Sequence, residues 1–194
     1  MICAKSDQDS IRIAADCLAS GGVAILPTDT VYGFSAVVSE KFKSGEKIYR
    51  IKGRNENKPM IQLISSPDDL KVYTDLVPPA SLLEKWPGPL TIIVPLKSSL
   101  SPENATVAFR CPGDFWLREV IARCGFPIYS TSVNRSGEKV LETVDEIVAE
   151  FGREVDLIVS DGDRHGSVPS TIVRMDGSDV VVVREGAIKI SREM

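Results

Sequence analysis

The sequence has little histidine and little cysteine: one histidine and four cysteines among 194 residues. A zinc site needs clustered thiolates or imidazoles, and the cysteines form no C-x-x-C pair, so we predict no metal site built by the protein itself. We expect Cys3, Cys17, Cys111 and Cys124 to be reduced and mostly buried thiols. His165 lies in the polar segment D-G-D-R-H-G, which predicts an exposed loop, so any catalysis must rest on groups other than imidazole.

Long apolar runs and a strong net charge are also missing. No stretch of about 18 apolar residues is present, and the first residues, M-I-C-A-K-S-D, lack the basic and then apolar pattern of an export signal. We therefore expect a cytoplasmic protein without a membrane partner. The length predicts one domain over residues 1–194, and the formal charge of −4 argues against a bulk nucleic-acid binder.

Helix-like and strand-like stretches alternate along the chain without an internal repeat. Asp114 is a candidate helix cap, and Thr143 with Glu146 forms a capping box. Helices are predicted at residues 10–20, 40–52, 67–72 and 79–86, after Asp114, and from 143 to 152. Strands are predicted at residues 23–26, 60–64, 91–96, 106–111, 128–132, 157–159, 171–174 and 180–184. Because several late strands follow one another without helices, the pattern predicts an α/β domain with a mixed sheet.

Positive charge is concentrated in residues 41–58. Seven lysines and arginines against two glutamates give this segment a net charge of +5, so the rest of the chain carries −9. A charge run is usually a solvated helix face, and the first lysines fit that interpretation. Lys52 and Arg54 lie instead where the helix ends, with Lys58 nearby, and these three side chains can point at one polyanion.

Arginine at residue 110 lies on a strand that alternates in polarity, and it would be costly to bury without a partner. Its partner must therefore be an anion, either an internal carboxylate or a bound ligand.

Three further segments offer polar side chains to a ligand: the first two follow strands, where α/β proteins bind ligands, and the third could add a hydroxyl and a guanidinium to a pocket rim. They are P-T-D-T-V-Y-G-F at 27–34, S-T-S-V-N-R-S-G at 130–137, and the pair formed by 168–174 and 182–187. Each also has a purely structural interpretation, as a strand-ending turn, a hydrophilic loop and two adjacent strands. The chain has neither a P-loop nor a G-x-G-x-x-G motif, so a nucleotide site here is not of the common types.

Seven segments in this order resemble the YrdC/TsaC family, the threonylcarbamoyl-AMP synthases. The resemblance covers about residues 10–187. In chain order, the matching segments are P-T-D-T-V-Y-G, I-Y-R-I-K-G-R followed by K-P, W-P-G-P-L-T, V-A-F-R-C-P, S-T-S-V-N-R-S-G, P-S-T-I-V and V-R-E-G-A-I. Its most specific feature is the tetrad Lys52, Arg54, Ser132 and Asn134.

The resemblance implies a fold and an activity. It implies a single YrdC-like domain in the family's short form, with a twisted mixed sheet flanked by helices around a deep, positively lined cavity. It also implies the synthesis of threonylcarbamoyl-AMP from L-threonine, bicarbonate and ATP with magnesium, which releases pyrophosphate. The product would pass to threonylcarbamoyl transferase proteins that modify tRNA.

The same resemblance assigns site residues. Lys52 and Arg54 would be catalytic. The residues that would bind ATP are Arg54, Lys58, Thr106, Ser132, Asn134 and Arg184. The residues that would bind L-threonine are Thr30, Arg110, Ser130 and Ser170. Two positions depart from many relatives: Val133 stands where alanine is common, and Leu63 stands where some relatives have a histidine.

Two other functions stay open. One is a related module that forms a carbamoyl adenylate from carbamoyl phosphate, although such modules usually belong to much longer chains. The other is a non-enzymatic protein that binds tRNA or other double-stranded RNA through the basic segment. The net negative charge and the scarcity of aromatic residues next to basic ones argue against RNA binding as the sole role, but they leave room for weak contact with tRNA.

Overall fold

Helices flank one twisted sheet in the computed structural model, which describes residues 1–56, 58–100, 105–177 and 179–190. The helices within these ranges are α1 (Ser10–Ala19), α2 (Ser44–Lys52), α3 (Leu70–Tyr73), α4 (Ala80–Leu83), α5 (Phe115–Cys124) and α6 (Val144–Phe151). The strands are β1 (Ile2–Ala4), β2 (Ala24–Leu26), β3 (Gly33–Val37), β4 (Ile61–Leu63), β5 (Leu90–Pro95), β6 (Thr106–Arg110), β7 (Ile128–Ser132), β8 (Leu157–Ser160), β9 (Thr171–Asp176) and β10 (Asp179–Arg184).

The strands form one sheet in the order β1-β8-β2-β3-β7-β4-β6-β5-β9-β10. Four neighbouring pairs are parallel, namely β1 with β8, β8 with β2, β4 with β6, and β5 with β9. The remaining pairs are antiparallel. The predicted α/β domain with a mixed sheet is therefore confirmed.

Apolar side chains of the helices hold them against the sheet. Helices α1 and α5 contribute to one buried cluster together with residues of β2 and β8. Leu18 of α1 and Leu117 of α5 are fully buried there. Burial of a side chain of this size stabilises the fold by about 1.5–3 kcal/mol. Helix α6 and its capping box, in which Thr143 Oγ1 accepts from the Glu146 amide, flank a second cluster that contains Phe34 and Phe151.

Three details differ from the predicted elements. Strand β3 was missed, because all five of its residues are buried and no polar alternation marks it. Strand β1 was also missed, because it is a three-residue strand at the sheet edge. The predicted helix at 67–72 is a short 3₁₀ turn, Pro67–Asp69, followed by α3, since Pro67 begins the turn and Ser66 caps it.

The cysteines and the histidine lie as expected. All four cysteines are free thiols, with Cys111 and Cys124 buried and the other two partly buried. His165 is exposed. Among the described residues, no helix combines the length and the apolar character needed to cross a membrane.

Candidate functional site

A cavity of about 200 Å³ lies where the ends of several strands meet. Its lining contains seven of the residues predicted for the site: Thr30, Arg54, Arg110, Ser130, Ser132, Ser170 and Arg184. The charged side chains of this lining, within the described ranges, are three arginines and no carboxylate. The lining is therefore positive and rich in hydroxyl groups, which suits an anionic ligand that also has hydrogen-bonding groups.

The turn between β2 and β3 forms one wall of the cavity. Thr28 Oγ1 accepts from the Thr30 amide at 3.0 Å and donates to the Val31 carbonyl at 2.8 Å, which closes a hydroxyl-stabilised turn. Gly33, the first residue of β3, lets the neighbouring strand β7 approach closely. A Cβ atom at this position would lie 2.9 Å from Ser130 Oγ. The glycine thus makes room for a hydroxyl that lines the cavity.

The guanidinium of Arg110, at the end of β6, has an internal carboxylate as its partner. Its Nη2 donates to Asp29, its Nη1 donates to Thr30 Oγ1 at 3.0 Å, and its Nε donates to the Gly88 carbonyl at 3.3 Å. Its side chain is 5% exposed, and that of Asp29 is 17% exposed. Of the two partners that the sequence left open, the structure shows the carboxylate.

Arg184, at the end of β10, lines the cavity together with Ser170. Its guanidinium donates to the Ser170 carbonyl at 2.7 Å and contacts Ser170 Oγ at 3.3 Å. The hydroxyl of Ser170 also shares a 2.8 Å hydrogen bond with Thr91, which is fully buried on β5. Burial lowers the pKa of Arg184, and the neighbouring charge of Arg110 acts in the same direction, so the two arginines lie close enough to interact.

Arg54 follows the C-terminus of α2, where Gly53 adopts a left-handed conformation that ends the helix. Its guanidinium donates to the carbonyls of Lys58 and Pro59 at 3.2 and 3.1 Å and reaches Thr131 Oγ1 at 3.5 Å. Backbone acceptors thus orient the side chain without neutralising its charge, which leaves that charge available to a ligand in the cavity.

Lys52, the last residue of α2, lies behind the cavity wall and is only 2% exposed. Its Nζ donates to the Ser132 carbonyl at 2.5 Å, to the Asn134 carbonyl at 2.8 Å and to Asn134 Oδ1 at 2.9 Å. Ser132 Oγ donates to the same amide oxygen at 2.9 Å. Three residues of the predicted tetrad, namely Lys52, Ser132 and Asn134, therefore form one hydrogen-bonded cluster. In this cluster the ammonium orders the loop after β7.

The environment of Lys52 has opposing effects on its charge. Burial lowers the pKa of Lys52 to about 7, and the charge of Arg54 contributes in the same direction. The three oxygen acceptors favour the protonated amine, as does the ring of Phe34, whose centroid lies 5.1 Å from Nζ. The lysine is thus an ionisable group whose charge can change near neutral pH.

Besides Lys52, three other predicted residues lie outside the cavity lining. Thr106 lines a neighbouring pocket of about 330 Å³, which shares Pro59 and Met60 with the cavity. Lys58 is exposed, and its carbonyl accepts from Arg54. Asn134 faces Lys52 and donates from Nδ2 to the Glu138 carbonyl at 2.7 Å.

Asp29, Thr131 and Thr91 were not among the predicted site residues. Asp29 could have been found, because it lies in the same polar turn as Thr30 and because Arg110 required an anion. Thr131 belongs to the recognised S-T-S-V-N segment, and it lines the cavity together with Ser130 and Ser132. Thr91 ends the recognised W-P-G-P-L-T segment, but a buried strand position gave no sign that its hydroxyl would contact Ser170.

No resident metal fits the donor set. Among the described residues, no group of three or more histidine, cysteine, aspartate or glutamate side chains could hold a metal ion, and the cavity lining has no acidic side chain. A magnesium ion in this cavity would need its ligands from a bound phosphate and water rather than from the protein.

The profile of the Sua5/YciO/YrdC family, which carries the description "Telomere recombination", matches residues 16–186 of this chain. A relative from Methanocaldococcus jannaschii is 34% identical over 179 residues, which is 89% of this chain and 84% of the relative. The threonylcarbamoyl-AMP synthase of Pyrococcus abyssi is 31% identical over 194 residues, which is 96% of this chain but 56% of that protein. The chain thus spans little more than half of the longer relative.

Two solved structures resemble the fold. The crystal structure of P. abyssi Sua5 complexed with L-threonine has a TM-score of 0.84 at 27% identity and is matched over 96% of this chain and 57% of its own. The crystal structure of Escherichia coli YciO also has a TM-score of 0.84, at 23% identity, over 100% of this chain and 97% of its own. At that identity the second likeness supports the fold alone.

Proposed function

The chain belongs to the Sua5/YciO/YrdC family, and from that premise we propose that it is a threonylcarbamoyl-AMP synthase. It would convert L-threonine, bicarbonate and ATP into threonylcarbamoyl-AMP and pyrophosphate. The observation that carries this proposal is the cavity itself, because separate strand and helix ends bring seven of the predicted residues to one positively charged lining.

The amino-acid end of the cavity would lie between Arg110 and Ser170. A guanidinium and three hydroxyls, those of Thr30, Ser130 and Ser170, line this part of the cavity. The arginine suits the α-carboxylate of an amino acid, and the hydroxyls suit a ligand that itself has a hydroxyl group. A site that hydrogen-bonds a substrate hydroxyl rejects analogues without it, which would favour threonine over similar apolar amino acids.

The nucleotide would extend from Arg54 towards the neighbouring pocket. Arg54 and Ser132 line the cavity, and Thr106 lines the second pocket, which Pro59 and Met60 connect to the first. A cavity of about 200 Å³ is small for both substrates together, so ATP would occupy both spaces, with its phosphates at the arginines. Lys52 would support this end by holding Ser132 and the loop after β7.

The chemistry needs positioning and charge neutralisation rather than a covalent intermediate. The threonine amine first adds to carbon dioxide derived from bicarbonate and loses a proton, which gives a carbamate. A carbamate oxygen then attacks the α-phosphorus, and the bond to the β-phosphate oxygen breaks as pyrophosphate leaves. Arginines near both anions would lower their mutual repulsion and stabilise the leaving group. Magnesium would arrive on the nucleotide phosphates.

Partners beyond the small substrates follow from the product. An acyl adenylate is a reactive intermediate that a second enzyme must consume, so we expect downstream threonylcarbamoyl transferase proteins that act on tRNA. Weak contact with tRNA or other double-stranded RNA would involve the basic segment at 41–58. We expect the protein to act in the cytoplasm.

The experiment is an omission series that follows pyrophosphate release. We expect release with ATP, bicarbonate and L-threonine together, and little release when any one is left out. Release that ignored L-threonine but required carbamoyl phosphate would instead favour a carbamoyl-adenylate module. Tight binding of double-stranded RNA without any turnover would favour the RNA-binding alternative.

A further inference from the structure

The hydrogen bond between Thr91 and Ser170 joins a fully buried residue on β5 to a residue that lines the cavity. Each hydroxyl carries one proton and can accept two hydrogen bonds. Either oxygen could therefore donate across the 2.8 Å that separates them. The direction of this hydrogen bond decides what the Ser170 hydroxyl offers to a ligand.

The burial of Thr91 fixes that direction. Within the described part of the chain, Ser170 Oγ is the hydrogen-bond partner of Thr91 Oγ1. If Ser170 donated, the proton of Thr91 would lie in the protein interior without an acceptor, which is unfavourable. If Thr91 donates, its proton has an acceptor and the proton of Ser170 is free to point elsewhere. The balance therefore favours Thr91 as the donor and Ser170 as the acceptor.

Ser170 then keeps its own proton but has no lone pair left. Its Oγ accepts from Thr91 and from Arg184 Nη2, the latter at 3.3 Å, which occupies both lone pairs. Among the described residues no acceptor contacts its O–H, so the proton faces the cavity that Ser170 lines. Ser170 thus offers a hydrogen-bond donor beside a guanidinium, which suits a negatively charged oxygen.

The hydroxyl of Thr30, in the same lining, has the opposite role. Thr28 donates its single proton to the Val31 carbonyl, so Thr30 is the donor in the 3.0 Å contact between the two threonine hydroxyls. Thr30 Oγ1 also accepts from Arg110 Nη1 at 3.0 Å, which leaves one lone pair for a ligand. An amino acid matches a lining with a donor at Ser170 and an acceptor at Thr30, because its carboxylate accepts hydrogen bonds and its amino group donates them.

We propose that Thr91 is a positioning residue that holds the Ser170 hydroxyl as a donor to the carboxylate of the amino-acid substrate. Thr91 is buried behind Ser170 and acts by occupying one of its lone pairs, which directs the Ser170 proton into the cavity. This inference rests on the proposed function, because it takes this end of the cavity as the L-threonine site.

The test is a double-mutant cycle on the affinity for L-threonine, measured by calorimetry without ATP. Thr91→Val removes the hydroxyl but keeps the shape of the side chain, and it should weaken binding at least fivefold. Ser170→Ala removes the donor itself and should weaken binding at least tenfold. The double variant should bind no more than twofold more weakly than Ser170→Ala, because Thr91 acts through Ser170. Independent losses would multiply to about fifty-fold, and that result would overturn the proposal.

Two further variants separate hydroxyl orientation from a general loss of structure. Thr91→Ser restores the hydroxyl and should bind L-threonine within twofold of the wild-type protein. Thr74→Val is the matched control, because Thr74 is also a buried threonine but lies outside the cavity lining. It should leave the affinity for L-threonine unchanged, and the affinity for ATP should change by less than threefold in every variant. Failure of Thr91→Ser to restore binding, or an equal loss in Thr74→Val, would contradict the positioning role.

The outcomes separate this inference from the proposed function. Binding with the expected ratios but without threonine-dependent pyrophosphate release would leave the role of Thr91 intact and refute the synthase. Threonine-dependent release with an unchanged KM for L-threonine in Thr91→Val would do the reverse. If L-threonine binds only in the presence of ATP, its KM in pyrophosphate release supplies the same ratios. If Thr91→Val does not fold, Thr91→Ala takes its place in the cycle. A wild-type protein that binds L-threonine by neither measure overturns both.

Discussion

Lys52 shows how one buried charge can link a helix end to a loop. Its ammonium donates to two carbonyls and one side-chain amide oxygen of the loop after β7. Lys52 was predicted to face a polyanion because it lies near Arg54 at a helix end. The structure shows Lys52 acting on Ser132 and Asn134, while Arg54 lines the cavity. A pattern of charges in the sequence could not distinguish these roles, since it does not reveal where the acceptors lie.

The lowered pKa of Lys52 predicts a pH-dependent affinity for ATP. The pKa of about 7 lies below the ordinary value of 10.5, so the ammonium is lost as pH rises through neutrality. ATP should therefore bind more weakly at about pH 8.5 than at about pH 6.5, by threefold or more. Calorimetric titration across this range measures the effect. In Lys52→Met only the ionisation of ATP remains, so the decline in affinity should disappear. Lys43→Met should retain the decline, because Lys43 is exposed and precedes the other end of α2. An identical profile in Lys52→Met and wild type would contradict the prediction.

Arg54 carries a separate prediction. Arg54→Ala should reduce turnover at least tenfold, or about 1.4 kcal/mol in transition-state stabilisation, because a cavity-lining positive charge is lost. We expect a similar loss in Lys52→Ala. Steady-state pyrophosphate release measures both, with circular dichroism to show that the variants are folded. Arg50→Ala is the matched control, since Arg50 is an exposed residue near the same helix end. Equal rates for Arg54→Ala and Arg50→Ala would refute the role of Arg54.

At the scale of elements, most helices and strands could be predicted, and the errors have physical causes. The capping box before α6 and the cap Asp114 before α5 marked those helices correctly. Strand β3 has no polar face, so periodicity does not reveal it. The site was only partly predictable, because the pairing of Gly33 with Ser132 places two distant segments side by side, and single-strand patterns do not show which strands are neighbours.

The capping box of α6 predicts a stability change that is separate from activity. Thr143 Oγ1 accepts from the Glu146 amide, and the Glu146 carboxylate accepts from the Thr143 amide at 3.1 Å. Thr143→Ala should lower the free energy of unfolding by about 1 kcal/mol, because one helix-terminal amide loses its acceptor. Urea denaturation measures this change. Thr143→Ser keeps the hydroxyl and should restore most of the stability. Turnover should be unaffected in both variants, and a loss of activity would contradict the separation of α6 from the site.

For the whole molecule, the net charge of −4 conceals an uneven distribution of charge along the chain. The segment at 41–58 is positive, and one of its arginines reaches the cavity with two others from β6 and β10. Their convergence depends on the sheet order, in which β6 and β10 are separated by β5 and β9 and lie far apart in sequence. Family resemblance could indicate that these arginines share a site. Composition and periodicity could not, because they contain no information on long-range strand order.

The central claim is that the cavity joins L-threonine, bicarbonate and ATP in one product. The most direct measurement supplies carbon-14 bicarbonate and tritiated L-threonine together with ATP and separates the nucleotides by chromatography. We expect a single adenylate peak that carries both labels in equal molar amounts and forms in step with pyrophosphate. An adenylate that carries tritium without carbon-14, or pyrophosphate release without any doubly labelled adenylate, would contradict the account.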